Sequence, residues 1–214
     1  MALFLAAVLM APSSLSAQAP DTLPVAAAGG DIEQVRKLIA GGAEIDARDA
    51  QGRTALLVAT HRNDIRMARL LIDAGADVNA KDAISDSPYL YAAAEGRLEI
   101  LRMTLNAGAD LSSVNRYGGT ALIPAAHHGH PDVVRALLAT AIDVNHVNRL
   151  GWTALLEAII LGDGGPIHTE IVRLLVAAKA DVNLADSNGV RPLAHAERRN
   201  HRDIVAILRA AGAN

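Results

Sequence analysis

The chain contains no cysteine among its 214 residues. This absence excludes a disulfide framework, a thiol nucleophile and a zinc site with cysteine ligands. Aromatic residues are also scarce, because Phe, Tyr and Trp together make up 2% of a chain that is 51% hydrophobic. The core is therefore expected to consist of Ala, Leu, Val and Ile, whose side chains let helices pack closely.

Excess positive charge is missing as well. The 20 Lys and Arg residues are outnumbered by 23 Asp and Glu residues, which gives a formal net charge of −3 at pH 7, and no basic cluster runs along one face. Binding to nucleic acid or to an anionic membrane through charge is therefore not expected.

The first nineteen residues differ from the rest of the chain. The segment from Met1 to Ala11 is entirely apolar, and no charged side chain occurs before Asp21. A run of this length does not span a bilayer, which needs roughly 20 apolar residues. It fits the hydrophobic region of a secretory signal, with Ala17-Gln18-Ala19 as the cleavage motif.

We therefore predict a signal peptide over residues 1–19, cleaved near Ala19, and a periplasmic or secreted mature chain without stable membrane insertion. Two features leave an alternative open. The basic segment that usually begins a signal is missing, and Pro20 would directly follow the cut. The alternative is a cytoplasmic scaffold that keeps an uncleaved N-terminal helix.

Beyond the N-terminus the sequence repeats with a period of 33 residues. Similar segments begin at Asp49, Asp82, Asn115 and Asn148, and a fifth begins at Asp186, five residues late. The second half of each segment carries paired aliphatic residues followed by a motif such as "GADVN". The period predicts one repeat domain over residues 20–214, with repeats at about 21–48, 49–81, 82–114, 115–147, 148–185 and 186–214.

The first half of each segment carries a related motif: Gly52-x-Thr54-Ala55-Leu56, Ser87-Pro88-Tyr89, Gly118-x-Thr120-Ala121-Leu122, Gly151-x-Thr153-Ala154-Leu155 and Gly189-x-Arg191-Pro192-Leu193. With these motifs the chain resembles the ankyrin repeat family, and in particular its small exported bacterial members. The resemblance implies an all-α solenoid of about six helix-turn-helix repeats with hairpin fingers. It also implies a non-catalytic protein, without a cofactor, that binds a partner protein on its concave surface. We expect a monomer.

Local chemistry agrees with this repeat architecture. Side chains that can cap a first helix recur at Thr54, Ser87, Thr120 and Thr153. Glycines suited to a left-handed helix end recur at Gly42, Gly75, Gly108 and Gly212. The fourth repeat has Ala141 at this position and the fifth has Lys179, so these two turns are expected to be strained or differently shaped.

One part of the expected concave surface is rich in residue types that dominate protein interfaces. Arg, Tyr and Trp bury a large area at a low cost in entropy and are enriched at binding hot spots. The predicted protein-binding residues are Arg116, Tyr117, His127, His128, Arg149, Leu150 and Trp152.

The five extra residues of the fifth repeat form a glycine-rich loop, predicted to contact a partner or to be merely tolerated. The loop comprises Gly162, Asp163, Gly164, Gly165 and Pro166. A phosphate-binding role is not expected, because neither a preceding hydrophobic strand nor a following Lys-Ser/Thr pair is present and Asp163 would repel phosphate.

Three histidines within four residues, His127, His128 and His130, raise a second functional hypothesis. The alternative to a binding module is a histidine-based metal-binding protein or a metal-assisted enzyme, with His146 or His168 as further ligands. No H-E-x-x-H or G-x-S-x-G motif supports catalysis. Since His127 and His128 are adjacent on a helix, they are expected to point in different directions. We predict no metal site and no enzyme.

Overall fold

The computed structural model describes residues 22–214, so the predicted signal peptide at residues 1–19 lies outside the described residues. In this part of the chain the structure consists of twelve α-helices and no β-strand, which confirms the all-α repeat fold. The helices are α1 (Leu23–Gly29), α2 (Ile32–Ala40), α3 (Ala55–His61), α4 (Ile65–Asp73), α5 (Pro88–Ala94), α6 (Leu98–Asn106), α7 (Leu122–His127), α8 (Pro131–Leu138), α9 (Ala154–Ile160), α10 (Pro166–Ala177), α11 (Pro192–Arg198) and α12 (Arg202–Ala210).

The first helix of most repeats begins at a capping side chain. Thr54, Ser87 and Thr153 each accept a hydrogen bond from a backbone N–H three residues later, at 3.2 Å. The prediction for Thr120 was wrong, because its hydroxyl is buried without a partner and α7 begins later, at Leu122. The N–H of Ile123 donates to the backbone carbonyl of Thr120 instead.

Helices of neighbouring repeats pack into one continuous core. Alanines of the first helices, Ala59, Ala92, Ala125, Ala158 and Ala196, are completely buried at 0% exposure. Paired aliphatic residues of the second helices complete the core. Since a single helix pair buries only part of its apolar surface, stability comes from the stacking of pairs.

Each hairpin finger is fixed by its own first residue. Asn115 accepts hydrogen bonds from the N–H groups of Tyr117 and Gly119, and Asn148 accepts from those of Leu150 and Trp152. Asp49, Asp82 and Asp186 make the same pair of bonds in their own fingers. The fingers therefore hold their exposed side chains on a rigid backbone.

Side chains of the "DVN"-like motifs form rungs between successive repeats. The side chains of Asp46, Asn79, Asn145 and Asn183 each accept a hydrogen bond from a backbone N–H of the next repeat, at 2.8 to 3.0 Å. These bonds link the first, second, fourth and fifth repeats each to the next one. The third repeat has Ser112 at this position, and its hydroxyl donates to Asp110 within the same repeat. Within the described residues, the rung from the third repeat to the fourth is therefore missing.

The two helix ends without glycine differ from each other. Lys179 adopts the left-handed conformation, with φ 68°, at a cost of roughly 1–2 kcal/mol. Ala141 does not adopt it. In the fourth repeat the Thr140 hydroxyl donates to the Leu137 carbonyl and accepts from the Ile142 N–H, so the side chain replaces the usual backbone bond of this turn.

Candidate protein-binding groove

A groove of about 410 Å³ lies on the concave side of repeats three to five, between the fingers and the first helices. We call it the concave groove. Its lining residues are Asp86, Tyr91, Ala94, Glu95, Asn115, Arg116, Tyr117, Gly119, Ile123, Pro124, His127, His128, Asn148, Leu150, Glu157 and Leu161.

Five of the seven predicted binding residues line the concave groove: Arg116, Tyr117, His127, His128 and Leu150. Arg149 does not line it. Its guanidinium donates to the carbonyl of Arg116 at 3.0 Å, and its side chain lies against Gly118, so it ties two fingers together. Trp152 is half-buried and lies outside the lining. A contact of these two residues with a partner stays a prediction.

The rim of the groove presents apolar surface beside one cation. Tyr117 is 55% exposed and Leu150 is 49% exposed, both on finger tips. The Arg116 guanidinium lies 5.1 Å from the centre of the Tyr117 ring and 3.3 Å from the Asp86 carboxylate. These contacts restrain Arg116, so the rim is ordered before any partner arrives.

The two adjacent histidines both line the groove but reach towards different repeats, His127 towards Glu157 of the fifth and His128 towards Ala94 of the third. Their ring centres are 4.7 Å apart. His128 follows the last residue of α7, and its Nδ1–H donates to the Ala94 carbonyl of the preceding repeat at 2.6 Å. This bond holds the His128 ring against the preceding repeat. His130 begins the next turn and lies against Gly96, outside the lining.

The floor of the groove contains a buried carboxyl group, Glu157, which the motif search missed. It is 6% exposed, and Asn148 donates a hydrogen bond to its Oε1 at 2.8 Å. Its Oε2 lies 3.5 Å from Nδ1 of His127. The corresponding residues of the other repeats include Val58 and Pro124. An acidic residue therefore departs from the repeat pattern at this position, and this departure is the sequence feature that could have indicated the site.

Burial governs the titration of the groove. It raises the pKa of Glu157 from 4.5 to about 7, and the hydrogen bond from Asn148 offsets this only in part. Burial also lowers the pKa of His127, with a further contribution from the neighbouring His128. It raises the pKa of Asp86 despite the opposing effect of Arg116. The floor therefore favours neutral groups in the absence of a partner.

The inserted loop, residues 162–166, ends at Pro166, the first residue of α10, and is linked to the end of α7 through His168 of that helix. The Asp163 carboxylate accepts hydrogen bonds from the N–H of Gly165 and from Nδ1 of His168, both at 2.9 Å. The other ring nitrogen, Nε2 of His168, lies 2.9 Å from the carbonyl of His127. None of the five loop residues lines the groove, although Leu161 next to them does. Partner contact by the loop stays a prediction.

The histidines are used in the packing of the repeats. Nε2 of His146 donates to the carbonyl of Gly118 at 2.7 Å, and His168 bridges the inserted loop to α7. Across residues 22–214, no group of three or more His, Asp or Glu side chains is placed to hold a metal ion.

The paired helices, the fingers between them and the rungs between repeats recur along residues 22–214. A family model described as "Ankyrin repeats (3 copies)" matches residues 23–115, 89–186 and 142–214, and so almost all of the described chain. The chain belongs to the ankyrin repeat family.

Solved ankyrin repeat structures are similar over almost the whole chain. An ankyrin repeat domain from Acinetobacter baumannii has 59% identity and a TM-score of 0.88, and the match covers 90% of this chain and 98% of that one. EF0377, an ankyrin repeat protein of Enterococcus, has 41% identity and a TM-score of 0.86, with 92% and 100% covered. The ankyrin repeat domain of Bcl-3, a member of the IkappaB family, has 27% identity and a TM-score of 0.82, with 92% and 88% covered.

None of the proteins with curated descriptions matches the chain. Ankyrin repeat domains are generally protein–protein interaction modules, and the proteins that contain them are typically non-catalytic. No helix found in residues 22–214 has the length and apolar character that crossing a membrane would require.

Proposed function

We propose that this ankyrin repeat protein is a non-catalytic binding protein that holds one partner protein in the concave groove. The observation that carries the proposal is the exposed pair Tyr117 and Leu150, held on rigid fingers at the rim. Large side chains that are ordered before binding contribute area without a matching loss of entropy. Arg116 and the His127–His128 pair would add polar contacts around this apolar centre.

The Tyr117→Ala/Leu150→Ala double variant is expected to lose partner capture. Each substitution removes exposed apolar area, so the thermal midpoint should stay close to that of the parent. Capture is measured by pull-down from an extract of the source cells, followed by mass spectrometry. The matched control is Val25→Ala, which shortens an exposed aliphatic side chain outside the groove. Val25 lies on α1 and is 42% exposed.

Retained capture by the double variant would contradict the proposal. A Trp152→Ala variant tests whether the partner also contacts surface outside the groove, because Trp152 does not belong to its lining. If Trp152→Ala also loses capture while its thermal midpoint is unchanged, the partner contacts surface outside the groove as well.

We further propose that the protein acts outside the cytoplasm. The apolar segment from Met1 to Ala11 and the Ala17-Gln18-Ala19 motif support this proposal. Intact-mass measurement of the full-length product from a Gram-negative host is expected to find a chain that begins at Pro20, in the periplasmic fraction. An uncut chain in the cytoplasm would contradict export and leave groove binding untouched.

A further inference from the structure

We infer that the concave groove receives a basic side chain of the partner, an arginine or a lysine, on the carboxylate of Glu157. The inference rests on the proposed function, since it names the chemistry of what enters the same groove. It follows from three observations: the balance of charge in the lining, the surroundings of the Glu157 carboxyl group, and the character of the walls.

The lining has more carboxyl groups than guanidinium groups. It contains Asp86, Glu95 and Glu157 against Arg116, and its other titratable basic residues are His127 and His128. The guanidinium is engaged with Asp86 at 3.3 Å. Within residues 22–214, no lysine or arginine lies at ion-pair distance from Glu95 or Glu157. The groove therefore lacks the cation that would balance its floor, and a basic side chain of a partner is complementary to it.

The Glu157 carboxyl group has one oxygen bonded and one available. Oε1 accepts from Asn148 at 2.8 Å, which fixes the plane of the group. Oε2 lies 3.5 Å from His127, beyond an ordinary N–H···O distance of about 3.2 Å. An incoming N–H donor could take this position. Leaving a buried carboxylate unpaired costs several kcal/mol. A cation that supplies a positive charge and N–H donors removes this cost and is therefore bound more tightly.

The walls suit the aliphatic stem of a basic side chain. Tyr91, Tyr117, Leu150 and Leu161 line the same groove as Glu157. The Tyr91 ring is stacked on His61, so the exposed Tyr117 ring and the two leucines offer the surface for such a stem. Lysine and arginine place a long apolar stem along such surfaces while their charged group reaches a carboxylate. Aromatic faces attract the same cations. An acidic partner segment would meet Arg116, which already pairs with Asp86, and at pH 8 the carboxylates of the lining would repel it.

The test uses random 12-residue peptides displayed against the full-length protein at pH 8, where Glu157 is largely ionised. Enriched peptides are synthesised, and their affinities are measured for the parent and for Tyr117→Ala/Leu150→Ala, which identifies those that occupy the groove. Groove peptides are expected to share a basic residue at one fixed position. Replacing that arginine by citrulline, or that lysine by acetyllysine, removes the charge at nearly constant shape and should weaken binding to the parent about tenfold.

The matched variant is Glu157→Gln, and the control is Glu99→Gln, an exposed carboxyl on α6. Against Glu157→Gln the charged and neutral peptides should bind equally, whereas Glu99→Gln should keep the tenfold difference. Groove peptides without a shared basic residue, or an equal loss on Glu157→Gln, would overturn the inference and leave the proposed function standing. If no enriched peptide depends on Tyr117 and Leu150, the inference and the proposed function both fail.

Discussion

At pH 8 the Glu157→Gln variant is expected to be more stable than the parent by roughly 2–3 kcal/mol. At that pH the parent must keep a buried carboxylate without a lysine or arginine beside it. The amide carbonyl of the glutamine would still accept the hydrogen bond from Asn148, and its N–H₂ would face the neutral Nδ1 of His127. The variant therefore avoids the free-energy cost of ionising a buried carboxyl group and keeps the packing of the parent.

The sign of the pH dependence follows from the two pKa values of Glu157. Its pKa is about 7 in the folded chain and 4.5 as a free group. Between these values the folded protein holds a proton that the unfolded chain has released, so stability decreases as the pH rises from 4.5 to about 7. Below this pH range Glu157 is largely protonated in both the folded and the unfolded chain. At pH 4 the parent and the Glu157→Gln variant should therefore be nearly equal in stability.

Urea denaturation at pH 4 and pH 8 measures this difference for both proteins. The comparison of variant with parent at each pH cancels the titration of all groups that do not interact with residue 157. Glu99→Gln is the control and should change stability by less than about 0.5 kcal/mol at both pH values, because its carboxyl is exposed. An equal effect of Glu157→Gln at pH 4 and pH 8 would contradict the burial of an uncompensated carboxyl.

The Gly162→Ala variant is expected to lose roughly 3 kcal/mol of stability. A Cβ at Gly162 would lie 2.2 Å from the carbonyl oxygen of Ala158 and 2.6 Å from the His168 ring. The carbonyl belongs to α9 and cannot move without disturbing the helix. The ring cannot move without breaking its contacts with Asp163 and with the carbonyl of His127. The loop must therefore rearrange together with the end of α7.

The control for this variant is Gly29→Ala, at the last residue of α1, where nothing lies within 4 Å of an added Cβ. It should be neutral or slightly stabilising, since alanine favours a helix more than glycine does. Thermal unfolding of both variants and of the parent gives the comparison. Equal midpoints for the two variants would show that the loop adopts another conformation around residue 162.

The repeat fold was predictable because its determinants are local and recur. A capping hydroxyl such as Thr54, a glycine such as Gly75 and the first residue of a finger such as Asn115 each act on a backbone only a few residues away. Their spacing therefore fixes helix pairs and fingers. Thr120 departs from the pattern, since α7 begins at Leu122, one residue later than a Thr120 cap would set it.

The floor of the concave groove was harder to predict, because it depends on contacts between repeats. Glu157 stands at a repeat position that elsewhere holds valine, tyrosine, proline or histidine, and only the stack shows that this position faces a groove. His127 and His128 could not be oriented from helix geometry alone. The bond from His128 to Ala94 of the preceding repeat turns the ring, and no local pattern encodes it. Residue type alone does not locate Trp152, which is half-buried and lies outside the lining.

The missing rung at Ser112 has a consequence for how the stack comes apart. A repeat array unfolds as coupled neighbouring units, and its cooperativity is weakest where the coupling between two units is smallest. The concave groove spans the junction between the third and fourth repeats, where the contacts of His128 with Ala94 and of Arg116 with Asp86 join the two repeats on the concave side. Amide hydrogen exchange should therefore divide the chain into two blocks at this junction. A ligand that contacts Tyr91 on one side of the junction and Leu150 on the other would couple the two blocks. Ligand binding in the groove should therefore increase the cooperativity of unfolding.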